Sequence, residues 1–175
     1  LDTNNIENVL NQYQRKHKNF YFVGAVPIDF DHRYSPTNCV VNELCNISVR
    51  NLLKKGKSNL GVVFNLDKHD EPGSHWVGMF ARLNRGEVGY FDSYGYKPEG
   101  ILDYFDDETN AELDQDDENY ILKMLNNKHN NLKTYWNDTQ YQKDDPKIAT
   151  CGAHCIFFIL NNNQGIVTNL AKKAV

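Results

Sequence analysis

The fold of this chain is decided by residues 150–160, which read TCGAHCIFFIL. The apolar run is too long and unbroken for a surface loop, so it predicts a buried helix with Cys151 in its first turn. A thiol there faces unpaired backbone N–H groups and the positive end of the helix dipole, which both favour the nucleophilic thiolate. Cys151 is therefore a candidate nucleophile. The alternative is a small buried hydrophobe, as free cysteines usually are.

Composition places the chain among globular proteins. Its 175 residues are 40% hydrophobic and 12% aromatic, enough for one domain with a core, and we expect a single domain over residues 1–175. No apolar run approaches the ~18 residues of a membrane span, and the first residues lack a signal-peptide pattern. A net charge of −4 argues against strong non-specific nucleic-acid binding, although a basic patch around residues 50–57 stays open.

The cysteine spacing indicates a reduced protein without a metal site. The four cysteines are Cys39, Cys45, Cys151 and Cys155. Because none stand in CxxC spacing, they predict neither a zinc site nor a dense disulfide framework. Reduced thiols in an intracellular compartment are the default. Glycosylation patterns at Asn46 and Asn137 are discounted because no secretory signal precedes them.

The order of apolar segments predicts an α+β domain with a central sheet and helices at both ends. Helices are expected over residues 2–17, 42–53 and 118–128 and from 151 onward. Strands are expected over residues 20–26, 60–65, 75–81, 87–92 and 132–141. The remaining segments are expected to be a loop at 29–38, a polar loop at 66–74, a hairpin turn at 84–86, a solvated acidic stretch at 103–118 and a polar tail.

A cysteine nucleophile in acyl transfer needs a base, a group that orients the base, and donors for the oxyanion. His75 is the candidate base, because it follows a Pro-Gly-Ser turn and opens a strand at a sheet edge. The alternative is an ordinary strand-end histidine. Four other histidines lie in polar surroundings, whereas His154 shares a helix face with Cys151 and would leave no room for substrate. The other histidines are His17, His32, His69, His129 and His154.

Asp92 is the candidate orienting group. It lies 17 residues after His75, and folding back at 84–86 places residue 92 beside residue 76 or so. An antiparallel pair would then bring the carboxylate to the imidazole. Asp92 is equally suited to cap the turn that follows it, and both roles are compatible.

The oxyanion donors would be the backbone N–H of Cys151 and a side-chain amide shortly before it. Gln140 and Gln142 are both available, and either is alternatively a solvent-facing strand residue.

With the order His, Asp, Gln, Cys, the chain resembles the adenovirus-type (adenain-like) maturation proteases of the ubiquitin-like-protease superfamily. The likeness rests on Gly73-Ser74-His75-Trp76-Val77, Tyr90-Phe91-Asp92-Ser93-Tyr94-Gly95, Tyr141-Gln142, Cys151-Gly152-Ala153-His154-Cys155 and the opening strand at Phe22-Val23-Gly24 with Pro27 and Asp29. It spans about residues 20 to 160. Virophage and Polinton versions look most similar, because Asn65-Leu66-Asp67 precedes the Pro-Gly-Ser-His-Trp turn as it does there.

The resemblance implies a papain-like fold in permuted chain order, with a mixed sheet flanked by helices and the nucleophile at the start of a buried helix. The implied roles are Cys151 as nucleophile, His75 as base and acid, Asp92 as orienter, Gln142 as oxyanion donor, and Trp76 with Gly152 as substrate-binding residues. Trp76 would narrow the cleft around small residues before the scissile bond, so glycine-containing cleavage sites are expected.

Two features depart from the family pattern. Adenovirus enzymes have Glu where Asp92 stands, although Asp is common in the wider superfamily. Cys151 follows Gln142 by nine positions, which is longer than the family spacing. Residues 143–147 therefore look like an insertion, which keeps Gln140 open as the amide donor.

The resemblance implies a cysteine endopeptidase that cleaves capsid precursors during particle maturation, in the virion and the infected host cell. We expect a monomer without metal or cofactor. Some family members are activated by a peptide and by DNA; the acidic pI gives no independent support for DNA, and both activators stay open. A disulfide from Cys39, Cys45 or Cys155 to such a peptide is an alternative to buried free thiols.

Two other functions compete with this hypothesis. The first is an isopeptidase for ubiquitin-like modifiers, which would use the same residues and fold. The second is a catalytically inactive binding or scaffold domain, against which the presence of every expected residue type in order argues.

Overall fold

A six-stranded mixed sheet forms the centre of the computed structural model, which describes residues 1–96, 133–145, 148–165 and 173–174. The strands are β1 (Phe20–Pro27), β2 (Arg33–Ser35), β3 (Asn38–Cys39), β4 (Asn59–Asn65), β5 (Trp76–Arg82), β6 (Glu87–Asp92), β7 (Lys133–Trp136) and β8 (Lys173–Ala174). The sheet order is β1-β4-β5-β6-β7-β8, and β2 pairs with β3 separately. The pairs β4–β5, β5–β6 and β7–β8 are antiparallel, whereas β1–β4 and β6–β7 are parallel.

Helices cover both faces of this sheet. They are α1 (Thr3–Lys16), α2 (Asn42–Cys45), α3 (Val49–Lys54) and α4 (Cys151–Asn163). One core contains Leu44 of α2 and Leu52 of α3 together with alternate residues of the central strands, such as Val62 and Met79. The other core contains residues of α1 and α4 packed on the intervening strand positions, such as Phe80. Because successive side chains of a strand point to opposite faces of the sheet, the same strands contribute residues to two separate cores.

Glycines in the central strands let α4 lie close to the sheet. A Cβ on Gly78 of β5 would stand 3.2 Å from the ring of Phe158 and 3.6 Å from the Cβ of Cys155. A Cβ on Gly89 of β6 would stand 3.3 Å from the same ring. Since these positions carry no side chain, α4 packs directly on the backbone of β5 and β6. Its first residue, Cys151, therefore lies at the start of β5, beside Trp76.

Most predicted elements are confirmed, with two corrections before residue 60. The helix expected over 42–53 is wrong as one element, because α2 and α3 are separate. The break follows from Ser48, whose side chain accepts a hydrogen bond from the Asn51 N–H and caps a new helix. The loop expected over 29–38 contains β2, because a turn at 35–38 lets Arg33 pair with Cys39.

The C-terminal third also differs from expectation where it is described. β7 is shorter than the strand expected over 132–141. It ends at Trp136, and the side chain of the next residue, Asn137, accepts a hydrogen bond from the Asp92 N–H. The tail expected to be only polar contains β8, which pairs with β7. The helix expected over 118–128 and the acidic stretch at 103–118 lie outside the described residues. In the described ranges, no helix is long and apolar enough to cross a membrane.

The structure pairs Cys39 with Cys45 in a disulfide, so the prediction of reduced thiols is wrong for these two residues. The Cys39 N–H donates to the side chain of Asn42, the first residue of α2, at 2.8 Å. This contact folds the chain back and brings the two Cα atoms to 6.8 Å. Cys151 and Cys155 remain free and buried.

Substituting Gly61→Ala should destabilise the fold by about 1–3 kcal/mol, because its Cβ would stand 2.9 Å from the fully buried ring of Phe20. Gly89→Ala should lower the free energy of unfolding by less, because the nearest atom to its Cβ, on the ring of Phe158, would be 3.3 Å away. Urea unfolding of both variants against the parent protein measures the ranking. Equal stabilities of the three proteins would contradict the packing described for these strands.

Candidate active site

β5 and β6 bring His75 and Asp92 together. Val77 pairs with Asp92 in the antiparallel ladder, and His75 lies directly before β5. The His75 Nε2 is 2.8 Å from the Asp92 Oδ1. The predicted antiparallel placement is therefore confirmed, with the register at residue 77 where residue 76 was expected.

Asp92 is almost fully buried, at 2% exposure, and is held by the turn that follows it. Its Oδ1 also accepts from the Tyr94 N–H at 2.8 Å, and its backbone carbonyl accepts from the Gly95 N–H at 2.9 Å. Asp92 thus caps the turn as well as bonding His75, so the two predicted roles occur together.

Asn137, the residue directly after β7, holds the backbone of Asp92 in place, a role that the sequence analysis did not predict. Its Oδ1 accepts from the Asp92 N–H at 2.9 Å, while its Nδ2 donates to the carbonyls of Asp92 and Thr139. The residue is fully buried, which agrees with discounting it as a glycosylation acceptor. An asparagine after a strand carries no signal that separates this bracing role from an ordinary turn residue.

Cys151 is the first residue of α4 and is buried beside His75. Its thiol shares a hydrogen bond with the imidazole, and the backbone N–H groups of Trp76 and Gly152 also point to it. Because Asp92 occupies Nε2, Nδ1 is the ring nitrogen left for the sulfur. The structure therefore joins Cys151, His75 and Asp92 in one hydrogen-bonded chain.

The environment favours a charged thiolate–imidazolium pair. Burial alone would raise the pKa of Cys151, but the hydrogen bond and charge of His75 and the two backbone N–H groups lower it below its ordinary value. Burial alone would lower the pKa of His75, but its bonds to Asp92 and Cys151 outweigh burial and raise the pKa to about 9. Between these two pKa values the sulfur is negative and the ring positive.

The competing histidines that the structure describes lie elsewhere, and His129 lies outside the described residues. His154 faces the rings of Phe91 and Tyr141, and burial lowers its pKa. His69 bonds Asp29 through Nδ1 at 2.7 Å, outside the Cys151 site. Among the described residues no group of three or more His, Cys, Asp or Glu side chains is arranged to hold a metal ion.

The structure separates the two glutamine candidates. Gln142 is buried, whereas Gln140 is exposed and donates to the Gln142 carbonyl. The Gln142 Nε2 donates to the Tyr94 hydroxyl and to the Ile148 carbonyl, each at 3.0 Å, and its Oε1 accepts from the Ser93 Oγ at 3.1 Å. Backbone bonds from residues 141 and 142 to the Ser93 carbonyl anchor the segment beside the turn after β6.

Trp76 and Gly152 lie next to each other beside the sulfur. A Cβ on Gly152 would stand 3.4 Å from the indole Cδ1 and 3.3 Å from the Cβ of Leu1. The Trp76 Nε1 donates to the Leu1 backbone carbonyl at 3.2 Å. Both residues predicted to bind substrate therefore lie next to Cys151, whose thiol their backbone N–H groups contact.

Comparison with solved structures identifies the fold. The ASFV pS273R protease superposes with a TM-score of 0.64 at 19% identity, covering 96% of this chain and 61% of its own. The SUMO protease Ulp1 superposes with a TM-score of 0.56 at 16% identity, covering 99% and 69%. The chain has a cysteine-protease fold.

Sequence comparison finds a viral relative. A protein of Acanthamoeba polyphaga mimivirus that carries the name thiol protease is 31% identical over 169 residues, which is 94% of this chain. The chain spans about half the length of that relative, 48%. No family model matches the sequence.

Alkylation of Cys151 by iodoacetamide should begin well below the pH of an ordinary thiol and show a second step near pH 9, where His75 loses its proton. In His75→Ala the low-pH reaction should disappear, because the pKa of the thiol rises when burial acts without the hydrogen bond and charge of the imidazolium. Labelled-peptide mass spectrometry across pH separates Cys151 from Cys155. Identical profiles in the two proteins would contradict the ion pair.

Substituting Asp92→Asn should move the alkaline step below pH 9. The amide oxygen can still accept from His75 and Tyr94, but without its negative charge it stabilises the imidazolium less, so the pKa of His75 falls. The same alkylation profile measures the shift. An unchanged alkaline step would show that the Asp92 charge does not support the imidazolium.

Proposed function

We propose that this chain is a cysteine endopeptidase in which Cys151 is the nucleophile, His75 the base and acid, and Asp92 the orienter. The observation that carries the proposal is the hydrogen-bonded chain from the sulfur through the imidazole to the buried Asp92 carboxylate. A thiolate, a base that becomes an acid, and a group that fixes the base are what acyl transfer at a peptide bond requires.

The proposed reaction has two halves. The Cys151 thiolate attacks the scissile carbonyl, the C–N bond breaks, and the His75 imidazolium gives its proton to the leaving amine. Water then attacks the thioester, giving one proton to His75, and the carboxylic acid product leaves as Cys151 is restored. Asp92 keeps Nδ1 of the ring aimed at the sulfur throughout.

Two donors would stabilise the oxyanion in both halves. The backbone N–H of Cys151, as the first residue of α4, has no partner within the helix. The Gln142 amide is the second donor, and its burial favours it over Gln140. Removing an oxyanion donor of this kind lowers kcat by about 10²–10³ in other hydrolases.

The substrate is proposed to carry glycine before the scissile bond. Trp76 and Gly152 border the sulfur, and the indole Cδ1 lies 3.4 Å from the position of the Cβ that Gly152 lacks, which supports a preference for a small residue at this point. The Trp76 Nε1 already holds one backbone carbonyl, that of Leu1, which supports recognition of extended main chain.

The natural substrates are proposed to be capsid or other virion precursor proteins, cleaved during particle maturation in the virion or infected cell. The mimivirus relative and the ASFV fold neighbour support a viral setting. A single monomeric protease domain in adenain-like, permuted chain order is part of the same proposal. Activation by a peptide or by DNA stays open.

A deconjugating protease for ubiquitin-like modifiers is the second candidate. It would use the same residues on glycine-ended substrates, and the SUMO protease Ulp1 shares the fold. The two candidates differ in what they dock: a folded modifier, or an extended segment of a precursor protein.

Cys151→Ala should abolish cleavage of the cognate capsid precursor without lowering the melting temperature by more than a few degrees. Cys155→Ala is the matched control, since it removes the other free cysteine of the same helix and leaves the proposed nucleophile in place. Gel analysis of precursor processing measures both. Cleavage that survives in Cys151→Ala would refute the assignment.

Vinyl-sulfone probes built on ubiquitin-family modifiers discriminate between the two candidates. Under the proposed endopeptidase function, these probes leave Cys151 unlabelled, whereas a peptide vinyl sulfone ending in Gly-Gly labels it. Labelling by a modifier probe at equal or higher rate would favour the deconjugating protease.

A further inference from the structure

We propose that Tyr94 is a positioning residue that holds both the imidazole of His75 and the oxyanion-donating amide of Gln142. The proposal rests on the endopeptidase function proposed above and adds a residue to its machinery. Tyr94 lies two residues after Asp92, in the turn that ends β6.

Three contacts converge on Tyr94. Its ring lies against the His75 ring, with centroids 4.9 Å apart and planes tilted by 34°. Its backbone N–H donates to the Asp92 Oδ1 at 2.8 Å, and its hydroxyl accepts from the Gln142 Nε2 at 3.0 Å. Tyr94 therefore touches three of the four groups assigned to catalysis.

The direction of the Gln142 hydrogen bonds is fixed by a backbone carbonyl. The Ile148 oxygen can only accept, so the amide atom facing it must be the nitrogen. The Ser93 hydroxyl then donates to the amide oxygen. The Tyr94 oxygen must in turn accept the other N–H of Gln142.

Both N–H groups of Gln142 are thus already used in this structure. An oxyanion can accept a hydrogen bond from one of these N–H groups only if the bond to Tyr94 or to Ile148 breaks. The Ile148 bond is the one suited to exchange, because Ile148 lies in the segment that leads to Cys151, whereas Tyr94 is anchored through its backbone to Asp92. Tyr94 would keep the amide in place while the other N–H turns to the substrate.

The ring of Tyr94 has a separate effect on His75. A cation within about 6 Å of an aromatic centroid is attracted by the ring face, and the 4.9 Å separation satisfies this condition. The ring therefore favours the imidazolium, whereas the hydroxyl acts on Gln142. Two substitutions separate the two contributions, since Tyr94→Phe keeps the ring and Tyr94→Leu removes both.

Steady-state hydrolysis of a Gly-Gly aminocoumarin peptide tests the hydroxyl. Tyr94→Phe should lower kcat about 3- to 10-fold with KM unchanged, the effect of one neutral hydrogen bond. In a Gln142→Ala background the same substitution should have no further effect, because the partner is gone. Tyr96→Phe, which removes a neighbouring hydroxyl from a residue that is 67% exposed, is the control and should match the parent protein.

The pH profile of Cys151 alkylation tests the ring without any substrate. Tyr94→Leu should lower the pH of the alkaline step by roughly half a unit, whereas Tyr94→Phe should leave it in place. The side-chain NH₂ signals of Gln142, assigned by their loss in Gln142→Ala, should shift and exchange faster with water in Tyr94→Phe.

The outcomes separate this inference from the function it rests on. If the parent protein cleaves no peptide or precursor, the endopeptidase proposal fails, and alkylation and NMR still decide whether Tyr94 holds the two groups. The inference on Tyr94 is overturned if Tyr94→Phe leaves kcat and the Gln142 signals unchanged, or if its effect persists in Gln142→Ala. An alkaline step unmoved in Tyr94→Leu overturns the part assigned to the ring.

Discussion

The close packing of α4 on the backbone of β5 and β6 is the constraint on which the site depends. Gly78 and Gly89 leave room for Phe158 and Cys155 within van der Waals distance of the sheet. Only at that separation does the first residue of the helix reach the imidazole at the start of β5. The contact between the sulfur and the imidazole therefore depends on the absence of side chains at Gly78 and Gly89. These glycines lie opposite Cys155 and Phe158, which follow Cys151 by one and two turns of the helix.

Around this contact the protein buries charged groups and satisfies each with specific partners. Asp92 lies almost out of water but receives hydrogen bonds from His75 and from the turn, while Asn137 holds its backbone on both sides. An unpaired buried charge would cost several kcal/mol, so these bonds are what allow a carboxylate to lie there. The imidazole between Asp92 and Cys151 then carries the positive charge that both neighbours favour.

The sequence predicted the helices, strands and residue contacts that depend on one local interaction. It did not predict those that depend on several side chains from different parts of the chain. Hydrophobic period and turn residues predicted α1, the central strands and the meeting of His75 with Asp92, because strand pairing follows directly from a short hairpin. The break between α2 and α3 and the Cys39–Cys45 disulfide depend on caps and turns that compete closely with a continuous helix. Asn137 and Tyr94 act through tertiary contacts that no local pattern encodes. The resemblance implied Gln142 as the oxyanion donor with Gln140 as the alternative, and the burial of Gln142 favours the same choice.

The most direct test of the account is the protonation state of His75, read from the ¹⁵N chemical shifts of its ring at pH 7.5. Both ring nitrogens should carry protons in the resting protein, and the ring should titrate near pH 9. In Cys151→Ala the titration should move to lower pH, because the thiolate no longer stabilises the positive ring. A neutral ring with one protonated nitrogen at pH 7.5 would contradict the ion pair and, with it, the proposed mechanism.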